Sequence, residues 1–563
     1  MKNIFTFCFI IFVGLALSGC SKSGPAMVST ANPHASRAAA EMLEKGGSAM
    51  DAAIAAQLVL GLVEPQSSGI GGGAFALYFK ADRSELTSFD GREKAPGQAD
   101  ETLFLNDEAK PISWNQASIG GRAVGVPGVV ALSWKAHQKF GRLSWPQLFE
   151  PAIRLAEQGF SVSPRLSQAL TRSQDDLKRD FGARQLYFSD RSLEPLAVGA
   201  IFKNPAYAKT LKIIAEKGPD GFYRGPVAQA IVDAVQNHPG NSGLITLDDL
   251  KAYEAIERQA ICSPYRGYRV CGMPPPTSGG LTSLMILGML EPYNLANMDA
   301  GSATAMHLFT QASRLAYADR ALYMADADFV DVPVAGLLDK NYLRKRAALI
   351  NPLADTGKAK AGQLPLSTKK ATSLSIPEYG TSHISIVDKQ GNAISMTTSV
   401  ERAFGSHMVA GGFVLNSQLT DFSFVPELNG MKVANRVEAG KRPRSSMSPT
   451  LVFAPDGSLF AAIGSPGGSR IIEFVSRTLI GLIDWQLPMQ AAIDLGNVNN
   501  RNQITELEAG TSAQGFAGYF ESMGHKIQIK PLVSGLHGIR ITPAGMDGGA
   551  DRRREGLVIK LGR

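Results

Sequence analysis

Apolar residues recur three and four apart between Ser29 and Val63. They fall at Ala38, Ala39, Met42 and Leu43 and, beyond Gly46-Gly47, at Ala52, Ile54, Ala55, Leu58 and Val59, which predicts two packed helices. The next stretch, SSGIGGGAFALYFK, passes from a glycine cluster into a strand. This reverses the strand, loop, helix order of a dinucleotide or P-loop site, so Gly69 to Gly73 read as turns or close backbone packing rather than a phosphate cradle. Helical patterns dominate from 128 to 350, interrupted by PPPTSGG at 274–280, whose prolines end one element before an apolar helix from Leu281 to Leu290. Residues 351–379 are rich in Lys, Ala, Gly, Pro and Ser and lack periodicity, which predicts an exposed, mobile segment. From Thr381 onward strands take over: THISIVD-like alternation, then AISMTTSV, GGFVLN, PTLVFAP and SLFAAIG. This strand-rich part does not obviously close a core alone, and mixed sheets sandwiched by helices from both parts are the simplest solution.

With 563 residues, 44% of them hydrophobic and 19% charged, the chain has the composition of a folded globular protein. Its net charge of +7 is scattered, without basic blocks interleaved with aromatics, so no nucleic-acid partner is expected. The first twenty residues, MKNIFTFCFIIFVGLALSGC, join Lys2 to an apolar run of signal-peptide length. They end in Leu17-Ser18-Gly19-Cys20, which resembles a bacterial lipobox. Residues 1–19 are then a lipoprotein signal peptide and Cys20 the lipidated terminus of an exported, periplasm-facing protein, with membrane anchoring by its acyl chains. Ser21 in place of Asp points to the outer membrane. The alternative is an ordinary signal peptide with a chance cysteine. Only Cys262 and Cys271 remain in the mature chain, flanking SPYRGYRV. A turn at Tyr265-Arg266-Gly267-Tyr268 would make them a candidate disulfide in an oxidising compartment. Two unpaired cysteines remain the alternative, since sequence does not fix the register of that turn.

The stretch YGTSHISIVDKQGN, residues 379–392, places Gly380-Thr381-Ser382 directly before a strand. Asp388-Lys389-Gln390-Gly391 has the chemistry of a three-residue hairpin loop. If Asp388 pairs with Asn392, Thr381 lies opposite Ser399, with Glu401 on the same face two residues further. A two-residue loop would instead put Val400 there. A threonine hydroxyl becomes a nucleophile with an adjacent base, and a terminal α-amino group serves when the threonine starts the chain. Attack of Thr381 on the carbonyl of Gly380 would create that terminus.

TSHISIVDKQGNAISMT, FVLNSQLTDFSF, KRPRSSMSPT and GSPGGSR, with DGREKAP, GGSAMDAA and MPPPTSGG, closely resemble the γ-glutamyltransferase (γ-glutamyltranspeptidase) family of N-terminal nucleophile hydrolases, over nearly the whole mature chain and in the family's order. The resemblance implies an α/β fold, a four-layer αββα sandwich built from both products of self-cleavage. These are a large subunit of residues 20–380 and a small subunit of 381–563, forming one structural domain as a heterodimer of the chain's own two fragments. It implies Thr381 as nucleophile, Ser399 as its hydrogen-bonding partner, and Gly467 and Gly468 as the backbone oxyanion hole. Arg92, Ser445 and Ser446 match the family's contacts to the substrate α-carboxylate, and Glu401, Gln418 and Asp421 those to the α-ammonium.

Two departures stand out. Some members carry Asn at the position of Glu401. The interval from Asp421 to Ser445 is shorter than in members with a long lid, which implies a more open site.

The expected substrate is a γ-glutamyl compound such as glutathione, cleaved through a γ-glutamyl ester on Thr381 and passed to water or to an amino acid or peptide amine, with no metal and no organic cofactor. A glutaryl-type amidase acting on β-lactam side chains is the alternative within the family, and a non-catalytic solute-binding lipoprotein the alternative outside it. No G-x-S-x-G and no H-E-x-x-H appears, which disfavours a serine hydrolase and a zinc hydrolase.

Overall fold

The computed structural model describes residues 24–189, 192–364, 370–372 and 380–562. Its principal strands, in chain order, are β1 (Ala26–Thr30), β2 (Gly73–Lys80), β3 (Glu85–Gly91), β4 (Ile256–Arg258), β5 (Ile261–Tyr265), β6 (Tyr268–Gly272), β7 (Gly380–Val387), β8 (Ala393–Glu401), β9 (Thr450–Phe453), β10 (Leu459–Gly464), β11 (His537–Thr542), β12 (Gly545–Ala550) and β13 (Leu557–Leu561). They form a seven-stranded sheet ordered β13-β1-β7-β8-β2-β3-β4 and a six-stranded sheet ordered β12-β11-β10-β9-β6-β5, both antiparallel. Each sheet takes strands from both sides of the Gly380-Thr381 bond, so neither side holds a complete sheet.

The helices α1 (Pro33–Glu44) and α2 (Ala49–Val63) cover the outer face of the first sheet, meeting Ile384, Ile386, Ile394 and Met396. On the second sheet's outer face lie α3 (Gly279–Leu290), α4 (Ala303–Tyr323) and α5 (Ile471–Ile483). The result is a four-layer αββα sandwich. α2 begins in a capping box, in which the Ser48 side chain accepts from the Asp51 N–H and Asp51 accepts from the Ser48 N–H. Asp51 also accepts from the N–H of Arg142, which explains the polar residue inside GGSAMDAA.

Two expectations need correction. Ser29 and Thr30 belong to β1 and not to the first helix, which starts only after Asn32 caps it and Pro33 takes its first position. Asn32 and Pro33 are the strong start signal, and the apolar spacing before them is short enough to fit either period. Residues 351–364 are irregular but fastened to α4, whereas the sequence predicts a mobile segment. Asp355 pairs with Arg314 at 2.7 Å, and the N–H of Gly362 donates to Asp319 at 2.6 Å. The short Asp421–Ser445 interval folds a small hairpin, Glu427–Leu428 against Met431–Lys432, and the side chains of Arg92 and Asp421 are 0% and 5% exposed. Cys20 and the signal-peptide residues lie outside the described residues.

The hairpin at Tyr265–Tyr268 pairs Cys262 with Cys271, and a disulfide joins them. Gly71 and Gly72 are sites of close backbone packing: a Cβ on them would lie 2.2 Å from the Val414 carbonyl oxygen and 2.1 Å from that of Ser399.

Candidate active site

The polar positions of β7 and β8 alternate with apolar ones as they would in a strand with one wet face, yet both faces are buried. Their polar face is turned to the second sheet. Ser395 donates to the Ile463 carbonyl at 2.9 Å, and Ser385 donates to that of His537 at 3.1 Å. His383 bridges Thr397 and Ser385 at 2.8 and 3.0 Å through its two ring nitrogens. Burial, then the neighbouring His537, lowers the His383 pKa well below the ordinary imidazole range, and burial brings His537 down to about 4. Thr381 and Ser399 stand at the end of this buried polar ladder.

Asp388 pairs with Asn392 across the three-residue loop, and the expected register runs as far as Ser382 opposite Thr398. It then shifts by one, so that Glu401 faces Gly380. The shift is a bulge, with Glu401 at φ +79°. It leaves Thr381 Oγ1 3.2 Å from Ser399 Oγ and turns the Glu401 N–H onto Ser399 Oγ at 2.9 Å. Ser399 in turn donates to the Gly380 carbonyl at 2.7 Å, and Thr381 Oγ1 contacts the same oxygen. The nucleophile candidate, its partner serine and the carbonyl at the expected cleavage point are therefore one hydrogen-bonded cluster. Glycine at 380 allows it: a Cβ there would lie 2.6 Å from the Glu401 carbonyl oxygen.

Gly467 and Gly468 form the turn between β10 and α5, at φ +132° and +62°, conformations that side chains rarely adopt. Neither N–H donates to a described residue. Beside them Arg554 donates to the Thr381 carbonyl at 3.0 Å and to that of Ser534 at 3.2 Å, and burial followed by repulsion from Arg165 lowers its pKa to about 9.

On the other side of Ser399 the charged residues line up. Glu401 accepts from Gln418 Nε2 at 2.7 Å, and the same amide donates to Asp421 at 3.0 Å. Asp421 pairs with Arg92, which is fully buried and also donates to the carbonyls of Pro443 and Arg444 at 3.0 and 3.3 Å. Burial works against the Arg92 charge, but Asp421, Glu93 and Glu401 outweigh it and raise its pKa. Burial pushes Glu93 up to about 8, with Arg92 beside it pulling the other way. Ser446 Oγ accepts from Arg320 at 2.7 Å, and Ser445 Oγ accepts from the Met447 N–H at 3.1 Å. Arg320 also donates to Ser278, whose hydroxyl donates to the Ser445 carbonyl at 2.6 Å.

All ten residues singled out from the sequence for catalysis and substrate binding thus lie along the inner end of β7 and β8 and the loops around it. Arg320, Arg554 and Glu93 were missed. Arg320 sits in the helical run RLAYADR, where an arginine reads as a solvated position, and Arg554 sits in DRRREG, which reads as a surface cluster. The available signal for Arg320 was that its flanking turns carry few other charges. Among the described residues no group of three or more His, Cys, Asp or Glu is placed to hold a metal ion.

Comparison with known proteins agrees with this arrangement. The family model for gamma-glutamyltranspeptidase matches residues 35–561. The glutathione hydrolase proenzyme of Bacillus subtilis is 35% identical over 548 residues, covering 95% of this chain and 91% of its own. That of Escherichia coli is 37% identical over 539 residues, covering 94% and 90%. The crystal structure of a cephalosporin acylase from Bacillus halodurans superposes with a TM-score of 0.82 at 26% identity, over 98% of this chain and 99% of that one. The fold, the length of the match and the level of identity together place the chain in the gamma-glutamyltranspeptidase family, within the N-terminal nucleophile hydrolases.

Proposed function

We propose that the protein is a self-processing γ-glutamyl hydrolase and transferase acting on glutathione and related γ-glutamyl compounds. One observation carries this reading: a continuous path of contacts runs from Thr381 through Ser399, Glu401, Gln418 and Asp421 to Arg92. It joins a nucleophile to one anion-rich and one cation-bearing group, the combination that an α-ammonium and an α-carboxylate on the same carbon require. Arg92 Nη1 and Gln418 Oε1 are buried without a hydrogen-bond partner among the described residues, a donor and an acceptor suited to such a zwitterion.

The chemistry has two stages. In the precursor, Thr381 Oγ1 attacks the carbonyl carbon of Gly380, while Ser399 donates to the oxygen that gains charge. The C–N bond breaks as the hydroxyl proton passes to the amide nitrogen, which frees the Thr381 α-amino group and leaves the Gly380 acyl group as an ester on Oγ1; water hydrolyses that ester, releasing the Thr381 hydroxyl and separating a large fragment ending at Gly380 from a small one starting at Thr381. In the mature enzyme that amine takes the Thr381 hydroxyl proton as the oxygen attacks the γ-amide carbon of the substrate. The N–H groups of Gly467 and Gly468 receive the developing oxyanion, and the proton passes to the departing amine. Water or a second amine then attacks the γ-glutamyl ester and returns the hydroxyl proton.

The lipidated Cys20, the periplasm-facing location and the outer-membrane anchor belong to the same proposal and rest on the sequence of residues 1–21. Likeness to a cephalosporin acylase structure favours a second reading, a glutaryl-type amidase. Comparing p-nitroaniline release from γ-glutamyl and glutaryl anilides by purified protein tests the two. A higher kcat/KM for the γ-glutamyl compound is expected, and a preference for the glutaryl one would overturn the assignment.

A further inference from the structure

The described residues start at Gly24, just beyond Cys20, and the fold fixes where Gly24 lies. Its N–H donates to the Lys389 carbonyl at 3.0 Å, and β1 then runs from Met27, opposite Val387, to Thr30, opposite Ile384. Gly24 therefore sits on the loop that joins β7 to β8. The same end of the first sheet carries the 81–84 loop, where the Ala81 N–H donates to Asn392 Oδ1 at 3.0 Å. It also carries the start of α2, where the Ala49 N–H donates to Asp388 at 3.0 Å. Thr381 stands at the other end of β7, roughly 20 Å away at about 3.4 Å per residue.

The end that holds Gly24 has a surplus of positive charge. Arg83 and Arg142 are exposed, Lys389 is partly exposed, and none of the three forms an ion pair with a described residue. Lys80 pairs with Asp82 at 2.7 Å. The hydrogen bond from Lys80, helped by the charges of Lys80, Arg83 and Arg142, lowers the Asp82 pKa, so this carboxylate stands among three cations. Glu44, exposed at the end of α1, offsets one more of them. From Cys20 to Gly24 the chain reaches at most about 14 Å when fully extended. Acyl chains on Cys20 would thus keep this end of the sheet close to the headgroups, where charges are only partly screened.

We infer that this end of the sheet rests on an anionic phospholipid surface, with Arg83, Arg142 and Lys389 facing the headgroups and the Thr381 end turned away toward soluble substrates. The inference rests on the lipidation of Cys20 proposed above. So few cations do not hold a protein on a membrane alone, but beside an acyl anchor they select which face meets it.

The test uses lipidated full-length protein in vesicles of phosphatidylethanolamine and phosphatidylglycerol that carry a quencher on the headgroup. A fluorophore is attached at Gln390→Cys, beside Lys389, or at Gln168→Cys, beside Gly467 and Arg554 at the far end. Cys262 and Cys271 are joined in a disulfide and Cys20 is acylated, so the introduced thiol takes the label. Both positions are exposed, and neither change is expected to impair folding. The label at 390 should be quenched about threefold or more strongly than that at 168, because the two ends lie roughly 20 Å apart. Arg83→Glu with Arg142→Glu, added salt, or vesicles of phosphatidylcholine should each shrink that difference. Equal quenching of the two labels on retained protein, or stronger quenching at 168, would overturn the orientation while leaving the anchor intact. A difference unmoved by charge reversal, salt and lipid charge would overturn the headgroup contacts given to these cations. Failure of the unaltered protein to stay on vesicles, or retention of Cys20→Ser, would overturn the lipidation on which the inference depends.

Discussion

Asp421→Asn separates recognition of the substrate from support of the site. In the free protein Asp421 is shared by Arg92 and Gln418, so a zwitterionic substrate must exchange one internal ion pair for two new ones. Its carboxylate takes Arg92 and its ammonium takes Asp421. Removing the anion deletes a charge-assisted hydrogen bond worth about 1.5 to 3 kcal/mol. That predicts a loss of about ten- to hundredfold in kcat/KM for γ-glutamyl anilide. Orphaning a buried cation costs about 3 to 5 kcal/mol of stability in full. Arg92 keeps the carbonyls of Pro443 and Arg444, and Glu93 lies 3.6 Å away, so the actual cost falls below that range. A glutaryl anilide lacks the ammonium and gains access to an Arg92 no longer held by Asp421, so its kcat/KM should fall less than about threefold or rise. The assay is release of p-nitroaniline from both compounds by protein shown on a denaturing gel to be processed. Equal losses on the two would refute the reasoning and make Asp421 a support for Arg92 alone.

Ser399→Ala removes the donor to the Gly380 carbonyl and should slow self-cleavage by about a hundredfold, seen as persistence of the full-length band; cleavage at the unaltered rate would contradict the role given to Ser399. Relative to a variant with both His537 and His383 replaced by glutamine, a comparison that cancels the opposite contribution of buried Glu93, at about 8, stability should be level above about pH 6.5 and fall as the medium is acidified toward pH 4, because the unfolded chain binds protons that buried His537, at about 4, and His383 refuse. The slope is about 1.4 kcal/mol per pH unit for each histidine, measurable as a shift of the denaturant midpoint, and a flat profile over that window would count against their burial as neutral groups. Cys20→Ser should release the protein from membranes with anilide hydrolysis retained, and membrane retention of that variant would contradict the lipobox reading.

Much of the site was legible because it is local in sequence. The loop from Asp388 to Gly391 sets the pairing of β7 with β8, and that pairing alone brings Thr381 within reach of Ser399. The bulge that moves Glu401 opposite Gly380 was not legible, since nothing in TTSVE marks it; the backbone there packs against Gly72, where a Cβ would lie 2.1 Å from the Ser399 carbonyl oxygen. Mixed sheets drawn from both sides of residue 381 followed from a strand-rich second part that does not close a core alone, and the four layers from the family resemblance. What alternation misjudged is solvent: Ser385 and Ser395 look wet but bind the second sheet through hydrogen bonds. Residues 351–364 show the converse. They are held by separate contacts to Arg314, Asp319 and Asn502, which leave no periodic trace. Arg320 and Arg554 escaped notice for a related reason: a buried arginine satisfied by carbonyls and hydroxyls is spelled like an exposed one.

The central claim is that one hydroxyl, that of Thr381, both cuts the chain and carries the acyl group. Denaturing electrophoresis of the purified protein with N-terminal sequencing of the smaller band, beside Thr381→Ala, tests it most directly. The account predicts two fragments from the unaltered protein, the smaller beginning TSHIS, and a single uncut, inactive chain from the variant. A fully active intact chain, or a cut variant that still turns over γ-glutamyl anilide, would contradict it.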